Sequence, residues 1–333
     1  MLRFNLYITA LLLFVPVYIT AQENPKYITA KAGKWTLYNN MTMKTNAYAD
    51  FARNVQSVAE WMHQRIPLMK EPRGFDLETT IFSIWDEDYK LRVANYAMRC
   101  ELAFDFQLFL LENGKETKWM VEPPRWSFYM NNTASGHGSN WCNYEGYKVQ
   151  VDDPSLEKPL GKAIAGLCDI FPVFPLEKEI APGVQLFGDG NLVVFNPDRP
   201  PFWVPVTVKE ALELRLAFYN IRPTDKQQVY PYLKKAYDEM SAEELKAPAY
   251  LSNDDAVVLV SAKTTGLQLM RFNKDYWNRS LPPSAIQFIT MYYAPYNEKA
   301  EQEFIKNNGH PNYPQKVRDA LPLAELASLI MKK

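Results

Sequence analysis

The sequence predicts an α+β protein whose sheet is mainly antiparallel, and three observations carry that expectation. Two tight-turn dipeptides stand out, Asn113-Gly114 at the end of a long apolar-alternating run and Asp189-Gly190 between two apolar runs. From Cys100 the even positions read Cys100, Leu102, Phe104, Phe106, Leu108 and Leu110, with Glu101, Asp105 and Gln107 between them. That is the period of two of a half-buried strand. Helical spacing lies outside this region, first in the stripe Phe51, Val55, Val58 and Met62, with Trp61 beside it.

In chain order, the first helix is expected over residues 47–66, with Asn46 as its cap and Pro67 and Pro72 ending the run. The strand from Cys100 enters Asn113-Gly114, the strongest short signal for a type I′ hairpin. A two-residue loop sets Leu108 opposite Trp119 and Phe106 opposite Val121, all on one side. Asp189-Gly190 is expected to join residues 184–187 to 192–195, with Phe187 opposite Leu192. A third hairpin is expected from residues 256–260 to 267–272 across the looser 263–266 turn. Residues 285–293 read as a further strand.

The second half is more helical. Thr207 and Glu210 form a capping-box pattern, and Leu212, Leu214, Leu216 and Phe218 make the following helix apolar on more than one side. Pro231 suits a first helical turn, followed by the stripe Leu233, Ala236, Tyr237 and Met240. A later helix over residues 298–307 ends before Gly309. The Pro-rich residues 196–205 divide residues 22–196, a β-rich domain or half with one long helix, from residues 197–333, an α+β domain or half. The same segment is alternatively a stiff crossover inside one domain.

Residues 1–21 read as a cleavable signal peptide. Arg3 and the amino terminus supply positive charge, residues 6–18 are apolar, and Thr20-Ala21 places small residues before Gln22. The apolar stretch is shorter than the roughly 20 residues that span a bilayer, and Pro16 interrupts it. The expectation is an extracytoplasmic protein, periplasmic or secreted, with no transmembrane span after cleavage. With 37 Lys+Arg against 38 Asp+Glu and no long run of one sign, a nucleic-acid partner is not expected.

Three cysteines are present. Cys100 falls on the apolar face of its strand and reads as a small buried hydrophobe, which leaves Cys142 and Cys168 as the expected disulfide. Three histidines, His63, His137 and His310, are far apart and lack the HExxH zinc spacing. His63 reads as a partly exposed helical residue, and His310, after Gly309, as a cation suited to a helix C-terminus. No nucleophile elbow, P-loop or dinucleotide fingerprint is found, so no metal site, cofactor or catalytic residue is assigned. Asp86-Glu87-Asp88 reads as a solvated acidic turn, the alternative being a Ca²⁺ or paired-carboxylate site. Sequons at Asn40, Asn131 and Asn278 are about as many as chance supplies.

Residues 131–144 crowd amide, hydroxyl, imidazole and aromatic groups into one expected loop. From it His137, Asn140, Trp141 and Tyr144 are the candidate ligand-binding residues. A surface loop pinned by the disulfide, or a hydrolase pairing His137 with Ser135 or Ser139, are the alternatives. Aromatics make up 14% of the chain, and core faces are their first expected place, with ligand stacking second. The functional expectation is an exported, soluble, non-catalytic binding or accessory protein of the cell envelope. Its partner would be a polar small molecule, glycan or peptide. A hydrolase acting on an envelope or environmental polymer is the alternative.

Overall fold

A computed structural model of the chain describes residues 26–41, 46–84, 96–132, 170–221, 223–251, 260–261, 266–294 and 297–332. Strands β1 (Lys26–Tyr27) and β2 (Trp35–Asn39) precede helix α1 (Asn46–Arg65) and the single turn α2 (Pro67–Lys70). Next come β3 (Phe75–Ser83), β4 (Cys100–Glu112), β5 (Lys115–Lys118) and β6 (Arg125–Met130). Five strands follow: β7 (Ile170–Val173), β8 (Leu176–Ala181), β9 (Val184–Phe187), β10 (Asn191–Phe195) and β11 (Trp203–Pro205). The helices α3 (Val208–Ile221), α4 (Pro223–Gln228), α5 (Tyr230–Glu239) and α6 (Ala242–Lys246) form one block. Strands β12 (Tyr250–Leu251), β13 (Val260–Ser261), β14 (Leu267–Phe272) and β15 (Phe288–Tyr292) lead to α7 (Glu298–Asn308) and α8 (Tyr313–Asp319).

The class is α+β as the sequence predicts. Among the described residues a ten-stranded sheet runs β2-β3-β4-β6-β15-β10-β9-β8, with β1 and β5 on β4. A five-stranded sheet gathers β7, β11, β12 and β13 around β14. Only the β2–β3 pairing is parallel in the described residues.

The sheets stack, with helices outside both. On one face of the large sheet, Leu102, Phe104, Phe106, Leu192, Val194 and Ile289 meet Phe51, Val55, Val58 and Met62 of α1, and Tyr313 and Val317 of α8. The opposite face, through Phe187, Val193 and Phe288, packs against Phe171, Val173, Trp203 and Phe272 of the small sheet. The small sheet's outer face carries Ile170, Leu251 and Leu269 onto Val208, Ala211, Leu212 and Leu216 of α3. Strands with two buried faces read as near-continuous apolar runs, as β10 (NLVVF) does after Asn191. Residues 196–202 carry the chain from β10 to β11 and so from one sheet to the other.

The Asn113-Gly114 turn has φ of 50° and 73°, the signature of type I′, and β4 pairs β5 in the expected register, Phe109 with Lys118. Trp119 donates its N–H to Leu108 O at 2.9 Å, so the pair read from the sequence forms. The expectation for Phe106 and Val121 does not hold. Val121 is 78% exposed, and the N–H of Phe106 bonds Pro124 O instead. Beyond Trp119, Glu122 turns with a positive φ, Pro123-Pro124 resets the chain, and β6 takes over as partner of β4.

The second hairpin is one residue out of the expected register. Leu192 faces Leu186, not Phe187. Gly190, at φ 81°, donates to Phe187 O at 2.9 Å, which makes Gly188-Asp189-Gly190 a three-residue loop. Both faces of β9 and β10 are buried, so hydrophobic alternation could not choose between the two registers.

The third hairpin is corrected as well. β13 pairs β12, and β12 lies between it and β14. Gly266 is not simply a turn residue. A Cβ there would lie 1.6 Å from Leu251 O, so glycine lets β12 and β14 approach.

Thr207 caps α3 by accepting from the Glu210 N–H at 3.2 Å, while the Glu210 carboxylate is engaged by Arg271. That ion pair ties the helix to β14. No helix among the described residues is long and apolar enough to cross a membrane.

Candidate functional site

A cavity of about 690 Å³ lies between the two sheets, within the size range of small-molecule sites. The large sheet supplies Gln185 and Phe187 from β9 and Phe195 from β10. Gln185 pairs directly with Val193, so alternation sets it on the same face as Phe187 and Phe195. The small sheet supplies Trp203, Tyr250, Gln268 and Met270. Here too the ladder dictates the display, because Tyr250 and Gln268 are direct partners and Gln268 is also opposite Val173.

Prolines stiffen the mouth. Pro175, between β7 and β8, and Pro197 and Pro201, in the crossover, all line the cavity. Arg199 is held there by three carbonyls. Its Nε donates to Tyr276 O at 2.8 Å, and its Nη2 donates to Asp275 O at 2.8 Å and Trp277 O at 3.0 Å. The guanidinium is thus fixed as part of the frame. Phe202, itself in the wall, contacts Phe195, Phe288 and Tyr276 with ring centroids 4.8, 5.3 and 6.3 Å away. This packing holds the aromatic surface in one shape.

The lining is mostly apolar, with Gln185 and Gln268 on opposite walls. Neither amide has a hydrogen-bond partner among the described residues. An uncharged amide offers both a donor and an acceptor, so the cavity suits a neutral ligand with an apolar face and polar edges. No family model, curated protein or solved structure matches this chain.

The candidate residues read from the sequence are not at this cavity's described lining. His137, Asn140, Trp141 and Tyr144, and the expected Cys142–Cys168 pair, lie outside the described residues, as do Asp86, Glu87 and Asp88 and the signal segment. Asn131 is described, and it is no free donor at the head of a loop. It is 3% exposed, and its Nδ2 donates to Met98 O at 2.7 Å and Ala285 O at 2.8 Å. Its Oδ1 accepts from the N–H groups of Gln287 at 2.8 Å and Phe288 at 3.1 Å. A side chain so enclosed is inaccessible to a glycosyltransferase in the folded protein.

Cys100 is fully buried and unpaired, on the expected inner face, with burial driving its thiol pKa upward. His310 departs from expectation. Its ring sits among Tyr27, Phe304 and Tyr313 at centroid distances of 4.5, 5.4 and 6.4 Å. Burial lowers its pKa, against the opposing pull of the Pro311 carbonyl and Glu301. Burial thus disfavours the charged form, and the ring serves as an aromatic packing element.

Sequence reasoning missed the cavity because its walls come from separated segments, each reading as ordinary core strand. The available signal was polar: Gln185 interrupts the otherwise apolar β9 (VQLF), and Gln268 stands between two leucines in β14 (LQLMRF).

Proposed function

We propose that this is an exported, non-catalytic binding protein whose intersheet cavity holds a small neutral ligand with an apolar face. A sugar ring or a short peptide segment has that character. The observation carrying this reading is the pairing of the rigid aromatic wall with two amides, one from each sheet, that have no hydrogen-bond partner among the described residues. Export rests on the positive start, the apolar stretch and the small residues before Gln22. Protein recovered from outside the cytoplasm is expected to begin at or near Gln22 by intact mass. Recovery of the full-length chain as the normal form in the cytoplasm would refute export.

Binding is tested by screening neutral glycans and short peptides, then measuring affinity by calorimetry. The double variant Gln185→Ala/Gln268→Ala is expected to weaken binding roughly tenfold or more, the loss of two hydrogen bonds, with little change in thermal midpoint. An affinity indifferent to both glutamines but abolished by Trp141→Ala would move the site to the loop. Turnover of the bound ligand would replace this reading with the hydrolase.

A further inference from the structure

A second cavity, of about 450 Å³, lies where the approach to β2 meets α1 and α2. It is lined by residues 32–35, His63 and residues 70–73. Three cations line it, Lys34, Lys70 and Arg73, against the single carboxylate of Glu71. None of the three has an ion-pair partner among the described residues. Neighbouring cations are satisfied: Lys31 pairs Glu116, Arg65 pairs Glu325 and Lys118 pairs Asp76. An unbalanced group of this kind, in a chain with 37 Lys+Arg and 38 Asp+Glu, is a local surplus and not the protein's general character.

The backbone holds the two cationic segments in register. Gly33 N–H bonds Pro72 O at 2.9 Å, Gly74 N–H bonds Lys31 O at 2.8 Å, and Ala32 bridges Arg73. Asp76 accepts from the Lys34 N–H at 2.8 Å, fixing the chain at that residue. The aromatic wall is equally fixed. The Trp35 indole donates to Thr79 Oγ1 at 2.8 Å, and its face stacks on His63 with centroids 3.9 Å apart and planes 19° apart.

We propose that this cleft is a second ligand site, which takes an oxyanion, a phosphoryl or carboxylate group on a small molecule. Lys70 and Arg73 supply the charge, Lys34 adds to it, and His63 supplies a ring N–H donor. Burial first, and the nearby Lys70 second, lower the pKa of the imidazole, so it is biased to the neutral state before an anion arrives. The site is independent of the intersheet cavity and stands if that reading fails.

The test is an NMR titration of the histidine rings in the full chain, with inorganic phosphate or citrate as probes at constant ionic strength. An anion within contact distance is expected to raise the His63 midpoint by about one unit, while His310, in its aromatic enclosure, does not move. Lys70→Gln and Arg73→Gln are each expected to weaken the probe roughly fivefold, whereas Lys235→Gln, on helix α5 of the block beside the small sheet, leaves it unchanged. A stronger response to phosphate assigns the phosphoryl group, and a stronger response to citrate the carboxylate. The proposal is overturned if neither probe moves His63 in the unaltered protein. It is equally overturned if all three variants respond as the parent does, which is the mark of screening alone. The parent titration decides the matter even if a variant fails to fold.

Discussion

Asn131→Leu is expected to destabilise the protein by on the order of 4–6 kcal/mol. Its amide makes four hydrogen bonds to backbone groups of two separate segments, at Met98 and at Ala285, Gln287 and Phe288. Leucine has the right bulk but leaves all four groups buried and unpaired, and each such group costs about 1–3 kcal/mol before the structure relaxes. The backbone adds to the loss. Asn131 sits at φ 54°, a left-handed conformation that asparagine tolerates and leucine does not. Asn131→Gly separates the two effects, because it keeps the conformation and admits water, and it is expected to cost less than leucine. Urea unfolding provides the measurement, with the midpoint read at unchanged slope. A loss for leucine below about 1.5 kcal/mol would mean the four bonds are not holding these segments together.

Phe288→Ala comes next, at an expected 3–5 kcal/mol. Phe288 is fully buried on β15, directly opposite Phe195, in the seam between the sheets. Its ring contacts Phe202 and Phe272 at 5.3 Å each and Tyr276 at 5.8 Å. Tyr276 cannot easily follow into the void, since its hydroxyl donates to Gln287 O at 2.6 Å and accepts from Asn196 N–H at 2.9 Å. Phe202 is the ring that can shift, and it also lines the intersheet cavity. The variant is therefore expected to weaken ligand binding as well as stability, unlike the glutamine pair, which affects binding alone. A stability loss under about 1 kcal/mol would show that the two sheets are not packed at this ring.

The contrast between hairpins explains how far the sequence is legible. β4 has apolar side chains on one side and Glu101, Asp105 and Gln107 on the other, and the Asn113-Gly114 turn is of the expected type. Two independent signals agree there, and the register follows. In β9 and β10, Leu186 and Leu192 face one core while Phe187 and Val193 face another. A shift of one residue exchanges one apolar set for the other, so the alternation holds no information about register. The helices were legible for the opposite reason. α1 has a single core-facing stripe, and α7 begins and ends at the expected boundary residues to within one position. The intersheet cavity depends on sheet stacking, which no local pattern encodes. The basic cleft was hidden similarly, because residues 32–35 and 70–73 are brought together by backbone bonds across α1.

Strand β15 joins β6 on one side to β10 on the other. It is the last strand of the larger sheet along the chain, yet it occupies the middle. During synthesis the sheet consequently exists as two separate pieces with facing open edges until residue 292 has emerged. Open edges are templates for mispairing, so a fragment ending before Phe288 should aggregate and not behave as a smaller stable unit. In a chain exported as proposed, the larger sheet would stay incomplete until β15 joins β6 to β10, which would delay the final locking of the fold.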